Sequence, residues 1–129
     1  MRAQLGGPEV VIAQALRERC FGEWEGSSSG KYARVWAADE TDSGDANGSS
    51  GGGGGVEPAA GVLDRATALI VDLERRYSGR DILLVSHGDT LQILQAGFLR
   101  MRPSRHRSLP ALATAEIRQL HLGEEADER

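Results

Sequence analysis

The sequence predicts an α/β fold, with helices packed on a mainly parallel sheet, and three neighbouring features carry that prediction. Val62, Leu63, Ala66, Leu69, Ile70, Leu73 and Tyr77 repeat at the three-to-four spacing of an amphipathic helix. Ile82-Leu83-Leu84-Val85 follows as a short continuous apolar run, the pattern of a strand buried on both faces. The run ends in Ser86-His87-Gly88, and Leu91, Ile93, Leu94, Phe98 and Leu99 begin a second helical pattern.

Each element has its own start and stop signals. Pro58 fits the first turn of the long helix and Gly79 its C-terminal stop, with Asp64, Arg65, Asp72, Glu74, Arg75 and Arg76 largely on the opposite face. Upstream, Val10-Val11-Ile12 follows a Gly-Gly break and Pro8, and is expected to form a short strand. The segment Leu16 to Gly26 alternates polar and apolar residues and is closed by glycines, as a structured loop would be. Tyr32, Val35 and Trp36 recur at helical spacing and predict a short helix over Lys31 to Ala38. Ala113 to Leu122 is expected to be an edge strand.

Length and composition set the outer bounds. The chain has 129 residues, 40% of them hydrophobic and 26% charged, which fits one globular domain with one modest core. Aromatic residues are only 5%, so that core is expected to be built mostly from Leu, Val, Ile and Ala. Asp39 to Gly55 has 7 glycines in 17 residues and is read as a disordered insertion, since it has little apolar surface to offset the entropy of ordering. The expected organisation is a domain over 1–122, interrupted at 39–55, then an acidic tail at 123–129.

The net charge of −4 divides unevenly. The insertion holds −4 and the tail −3, which leaves +3 for the rest, a mildly basic body suited to an anionic ligand. Cys20 is the only cysteine, so an intrachain disulfide is excluded and a reducing compartment is allowed. No apolar run approaches bilayer length, and the cytoplasm is the expected location unless an upstream targeting segment exists. Arg100, Arg102, Arg105, His106 and Arg107 crowd into eight residues, but no aromatic is interleaved, so nucleic acid is not expected there. They read instead as a basic helix end that complements the dipole.

Two residues carry candidate chemistry. His87 lies at the C-terminal end of the apolar run, the edge at which open α/β sheets bind ligands. Gly88 allows close backbone approach, and Asp89 or Thr90 is placed to cap a helix whose N–H groups attract phosphate. Glu18, between Arg17 and Arg19, has the chemistry of a general acid/base held near cations. Taken singly, each has a plainer reading: His87 as a turn residue, and Arg17-Glu18-Arg19 as a solvated loop surface.

Three motifs in order decide between those readings. Leu16-Arg17-Glu18-Arg19-Cys20-Phe21-Gly22-Glu23-Trp24-Glu25-Gly26 is similar to the L-x-E-x-x-F/Y-G-x-x-E-G segment of the phosphoglycerate-mutase-like histidine phosphatases. Gly55-Val56-Glu57-Pro58 resembles their G-x-E-S, and Val85-Ser86-His87-Gly88 resembles their V-S/A-H-G. The resemblance implies a phosphomonoester substrate and a phosphohistidine intermediate, with no cofactor or metal expected. It makes Glu18 the proton donor and acceptor, His87 the second histidine at the phosphoryl group, and Gly88 a backbone contact to the same phosphate. The family's Arg-His-Gly nucleophile motif has no counterpart among His87, His106 and His121, and Arg105-His106-Arg107 lies after the second histidine. The chain is therefore expected to be the C-terminal part of such a domain, incomplete on its N-terminal side and inactive alone. The alternative is a catalytically dead fragment that binds a phosphorylated ligand or a protein partner.

Overall fold

The computed structural model describes residues 9–27, 29–40 and 55–121. Three α-helices dominate them: α1 at Ser29–Asp39, α2 at Ala59–Arg76 and α3 at Gly88–Phe98. Short 3-10 turns stand at Gln14–Leu16, Gly22–Trp24 and Pro103–Ser108. The expected acidic tail and nearly all of the expected insertion lie outside the described residues.

All three predicted helices form, because each satisfies its backbone within its own segment and buries one stripe. Pro58 is the N-cap of α2 and Tyr77 its C-cap, and Gly79 takes the left-handed conformation just beyond. The buried residues of α2 are Ala59, Val62, Ala66 and Leu73, as the periodicity requires. Val62 and Ala59 pack on Ile93 of α3, with Leu63 beside them. The helices approach closely at Gly97, where a Cβ would stand 2.5 Å from Leu63 Cδ1. A second cluster joins Phe21, Val35 and Val56 to the half-buried Trp24 and Tyr32. Phe21 and Tyr32 stack with ring centroids 4.3 Å apart, so the loop after Glu18 is fastened to α1.

The parallel sheet is a correction. Among the described residues there is no strand, and no backbone hydrogen bond joins 82–85 to 10–12 or to 113–121. Ile82-Leu83-Leu84-Val85 is not buried on both faces: Leu83 is 69% exposed and Val85 77%. Ile12 at 94% and Ile117 at 77% are equally uncovered, so neither expected flanking strand forms. The physical reason is that a strand's N–H and C=O groups are satisfied only by a neighbour, whereas a helix supplies its own partners. The fold described is thus helical, with an apolar segment leading into α3.

This division predicts a contrast in stability. Ile93→Ala, at a fully buried contact of α2 and α3, is expected to destabilise the chain by about 2–5 kcal/mol. Val85→Lys, at an exposed position, should change it by no more than about 0.5 kcal/mol. Urea titrations of the two variants check this, and equal losses would show Val85 to be part of the folded core.

Candidate active site

The N-terminus of α3 organises the candidate site. His87 is its N-cap, with extended backbone and no side-chain capping bond, and the His87 carbonyl accepts the first helical hydrogen bond from Leu91 N–H at 2.8 Å. The expected cap from Asp89 or Thr90 does not form. Instead the Glu18 carboxylate crosses from another loop. Its Oε1 accepts from Thr90 N–H at 3.0 Å, Thr90 Oγ1–H at 2.9 Å and Arg19 N–H at 2.9 Å. Its Oε2 accepts from Asp89 N–H at 3.3 Å. A carboxylate there meets free N–H groups and the positive end of the helix, so it complements both.

The loop that carries Glu18 is fixed from two sides. Ser86 Oγ donates to Leu16 O at 2.6 Å, and Thr90 Oγ1 lies 3.1 Å from Arg17 O. From α2, Arg65 donates to Ala15 O at 2.6 Å, Arg17 O at 3.1 Å and Glu18 O at 3.4 Å. The same guanidinium pairs with Glu57, through Nε to Oε2 at 2.8 Å and Nη2 to Oε1 at 3.0 Å. Glu57 Oε1 also accepts from Cys20 N–H at 3.1 Å. Burial raises the Glu57 pKa, but the hydrogen bonds from Arg65 and Cys20, with the charges of Arg65 and Arg17, hold it below the usual carboxylate range. Sequence reading put Arg65 on the solvent face of its helix; it is a clamp on the loop.

Beneath the loop lies a buried ion network. Arg19, 1% exposed, is bidentate to Asp39 at 2.7 and 2.8 Å and reaches Asp89 Oδ2 at 3.2 Å. Asp89 Oδ1 lies 2.7 Å from Nε2 of His106, which is fully buried. Arg107 covers the network, its guanidinium 3.7 Å from the centre of the Trp36 ring and 3.6 Å from Asp89. Burial pushes the Asp89 carboxyl up, yet the hydrogen bond and charge of His106 and the charge of Arg19 hold it below its ordinary range. Burial opposes the charge on Arg19 as well, and Asp39 and Asp89 outweigh it and raise its pKa. Three expectations change here. Asp39, counted with the solvated insertion, is the buried last residue of α1. Arg19 serves the core through its guanidinium, and His106 joins α3 to the following turn.

The lowered carboxylates set a pH dependence. Asp89 and Glu57 bind protons more weakly folded than unfolded, so their stabilisation is present above about pH 4 and is lost as the pH falls through their folded values. Melting temperature is expected to drop between about pH 5 and pH 3, and Asp89→Asn should flatten that drop. A wild-type melting temperature constant over this interval would contradict the linkage.

Glu18, His87 and Gly88 line one open cleft of about 1250 Å³, together with Ser86, Arg80 and Arg118. Its apolar wall comes from Leu73, Leu91, Leu94 and Phe98. A Cβ at Gly88 would meet no atom within 4 Å. Arg118 is bound to Gln95 at 2.9 Å and to Glu116 at 2.9 Å. Among the described residues no three His, Cys, Asp or Glu side chains gather as a metal site. No helix there is long and apolar enough to cross a membrane.

An exposed imidazole and a carboxylate stand at one helix N-terminus, on the wall of one cleft. The model of the histidine phosphatase superfamily, branch 1, matches residues 1–128, and the chain belongs to that superfamily. Phosphatase-like or mutase-like function on phosphorylated small molecules follows at the level of the superfamily. No curated protein and no solved structure matches the chain.

Proposed function

We propose that the chain belongs to a phosphoglycerate-mutase-like activity on a phosphomonoester, proceeding through a phosphohistidine. One observation carries the reading: Glu18 and His87 converge on the N-terminus of α3 from separate parts of the chain and face one cleft. In this reading a histidine nitrogen forms the P–N bond as the P–O bond of the ester breaks. Glu18 gives its proton to the departing oxygen, and later takes one from the water that attacks the phosphohistidine. His87 stabilises the charge on the phosphoryl oxygens, and Gly88 offers its backbone to the same group.

The nucleophile is not among these residues. The sequence contains no Arg-His-Gly. His106 is buried with both ring nitrogens engaged, by Asp89 and by Pro103 O at 2.8 Å. We read the 129 residues alone as inactive. A second reading, an inactive fragment that binds a phosphorylated ligand or a protein partner, draws on the Glu18 carboxylate, which is already committed to capping α3.

Two esters separate the roles once an Arg-His-Gly strand is supplied to the cleft by fusion. Glu18→Gln is expected to slow turnover of an alkyl phosphate about a hundredfold or more, because a poor leaving group needs a proton. A nitrophenyl phosphate, which leaves as a stable anion, should suffer much less. His87→Ala should slow both alike, since it weakens stabilisation of the phosphoryl group itself. Equal losses for both esters in Glu18→Gln would return Glu18 to a purely structural role.

A further inference from the structure

The buried network touches Glu18 at two points. Arg19 gives its main-chain N–H to Glu18 Oε1 and its guanidinium to Asp39 and Asp89. Asp89 gives its main-chain N–H to Glu18 Oε2 and its carboxylate to Arg19 and His106. Arg19 and Asp89, two of the three residues whose amides bind the Glu18 carboxylate, therefore also meet through their side chains in the core. His106 closes the network from the Pro103–Ser108 turn, seventeen residues beyond Asp89.

The hydrogen-bonding chemistry of His106 is restrictive. Nδ1 faces the carbonyl of Pro103 at 2.8 Å and Nε2 faces the Asp89 carboxylate at 2.7 Å. A carbonyl and a carboxylate only accept, so both contacts are hydrogen bonds only when both ring nitrogens carry hydrogen. Arg19 and His106 then stand as buried cations beside the buried carboxylates of Asp39 and Asp89, all four at most 4% exposed. A buried carboxylate left without its partner is strongly unfavourable.

From this geometry we propose that His106 is a positioning residue. As an imidazolium it neutralises Asp89, which fixes the first turn of α3 and holds Glu18 on the Asp89 and Thr90 amides. It touches neither the cleft nor Glu18, and acts only through Asp89. The placement of Glu18 is observed, and only the word acid for Glu18 rests on the phosphoryl-transfer reading.

Proton-detected nitrogen NMR of the intact 129-residue chain tests the proposal in two ways, neither of which uses turnover. At neutral pH the ring of His106, assigned by its disappearance in His106→Gln, should show two protonated nitrogens. One bare ring nitrogen would overturn the proposal. Glu18→Gln defines how the Asp89 and Thr90 amide signals move when the carboxylate is weakened. His106→Leu should move both signals in that same direction, while Val62→Ala, which disturbs the core away from the network, should leave them in place. Unmoved signals in His106→Leu, or equal movement in Val62→Ala, would reduce His106 to a packing residue. If His106→Leu does not fold, the ring spectrum of the wild-type chain still decides. Because no substrate is present, a failure of the phosphatase reading leaves these results unchanged, and the reverse also holds.

Discussion

Arg19→Met is expected to destabilise the chain by about 3–5 kcal/mol, a large share of the stability of a small domain. Methionine keeps much of the length and apolar volume of the arginine stem, so packing alone does not account for such a loss. What disappears is the cation between Asp39 and Asp89, which are 0% and 4% exposed. Their carboxylates lie 2.7 and 3.2 Å from its guanidinium, on α1 and α3. Two buried anions would then face each other, with His106 and the half-exposed Arg107 beside Asp89. The variant should relax by separating α1 from α3 or by protonating a carboxylate. Its deficit should therefore shrink as the pH is lowered, opposite in sense to the acid loss expected of the wild type. Adding Asp39→Asn removes one of the stranded charges and should recover part of the stability, a coupling that a double-mutant cycle measures. Additive losses in that cycle would show that Arg19 acts by packing alone.

The three helices were legible because a helix announces itself through periodicity and caps within a single segment. Val62, Ala66 and Leu73 fall on the predicted stripe of α2 and are buried there. The apolar run at 82–85 was misread for a reason specific to strands. Its composition reports that it prefers burial, but pairing needs a neighbour, and none is described beside Leu83 or Val85. Glu18 and His87 were found through motif spacing, and the structure brings them to one cleft. What Glu18 touches was not legible, because its donors Asp89 and Thr90 are some seventy residues away.

The ion network was the least visible part. Charged residues read as solvent-facing by default, and Arg65, Asp39 and His106 all depart from that default. Asp39 did carry a signal. It stands four residues after Val35, on the same stripe of α1, and both residues are 0% exposed. A carboxylate on the apolar stripe of a helix implies a buried cation, and Arg19 is that cation. His106 carried no such signal, since its neighbours Arg105 and Arg107 are exposed and its own burial depends on the turn after Arg102.

The proposed reading is that these 129 residues hold the acid and the second histidine of a phosphoryl-transfer site without its nucleophile. Covalent transfer has no first step without that nitrogen, and a catalytic group that acts as one unit with its partners removes nearly all activity when it is lost. Of the three histidines, His106 is sealed in the core and His121 lies at the end of the described chain, so His87 is the one imidazole lining the cleft. The cleft's Arg118 is engaged by Gln95 and Glu116. The direct measurement is rapid-quench turnover of nitrophenyl phosphate by the purified chain from about pH 5 to 8, the interval in which an imidazole changes charge. The account predicts neither a burst nor turnover above the uncatalysed background. A burst with phosphate bound to His87, abolished in His87→Ala, would contradict it and make His87 itself the nucleophile.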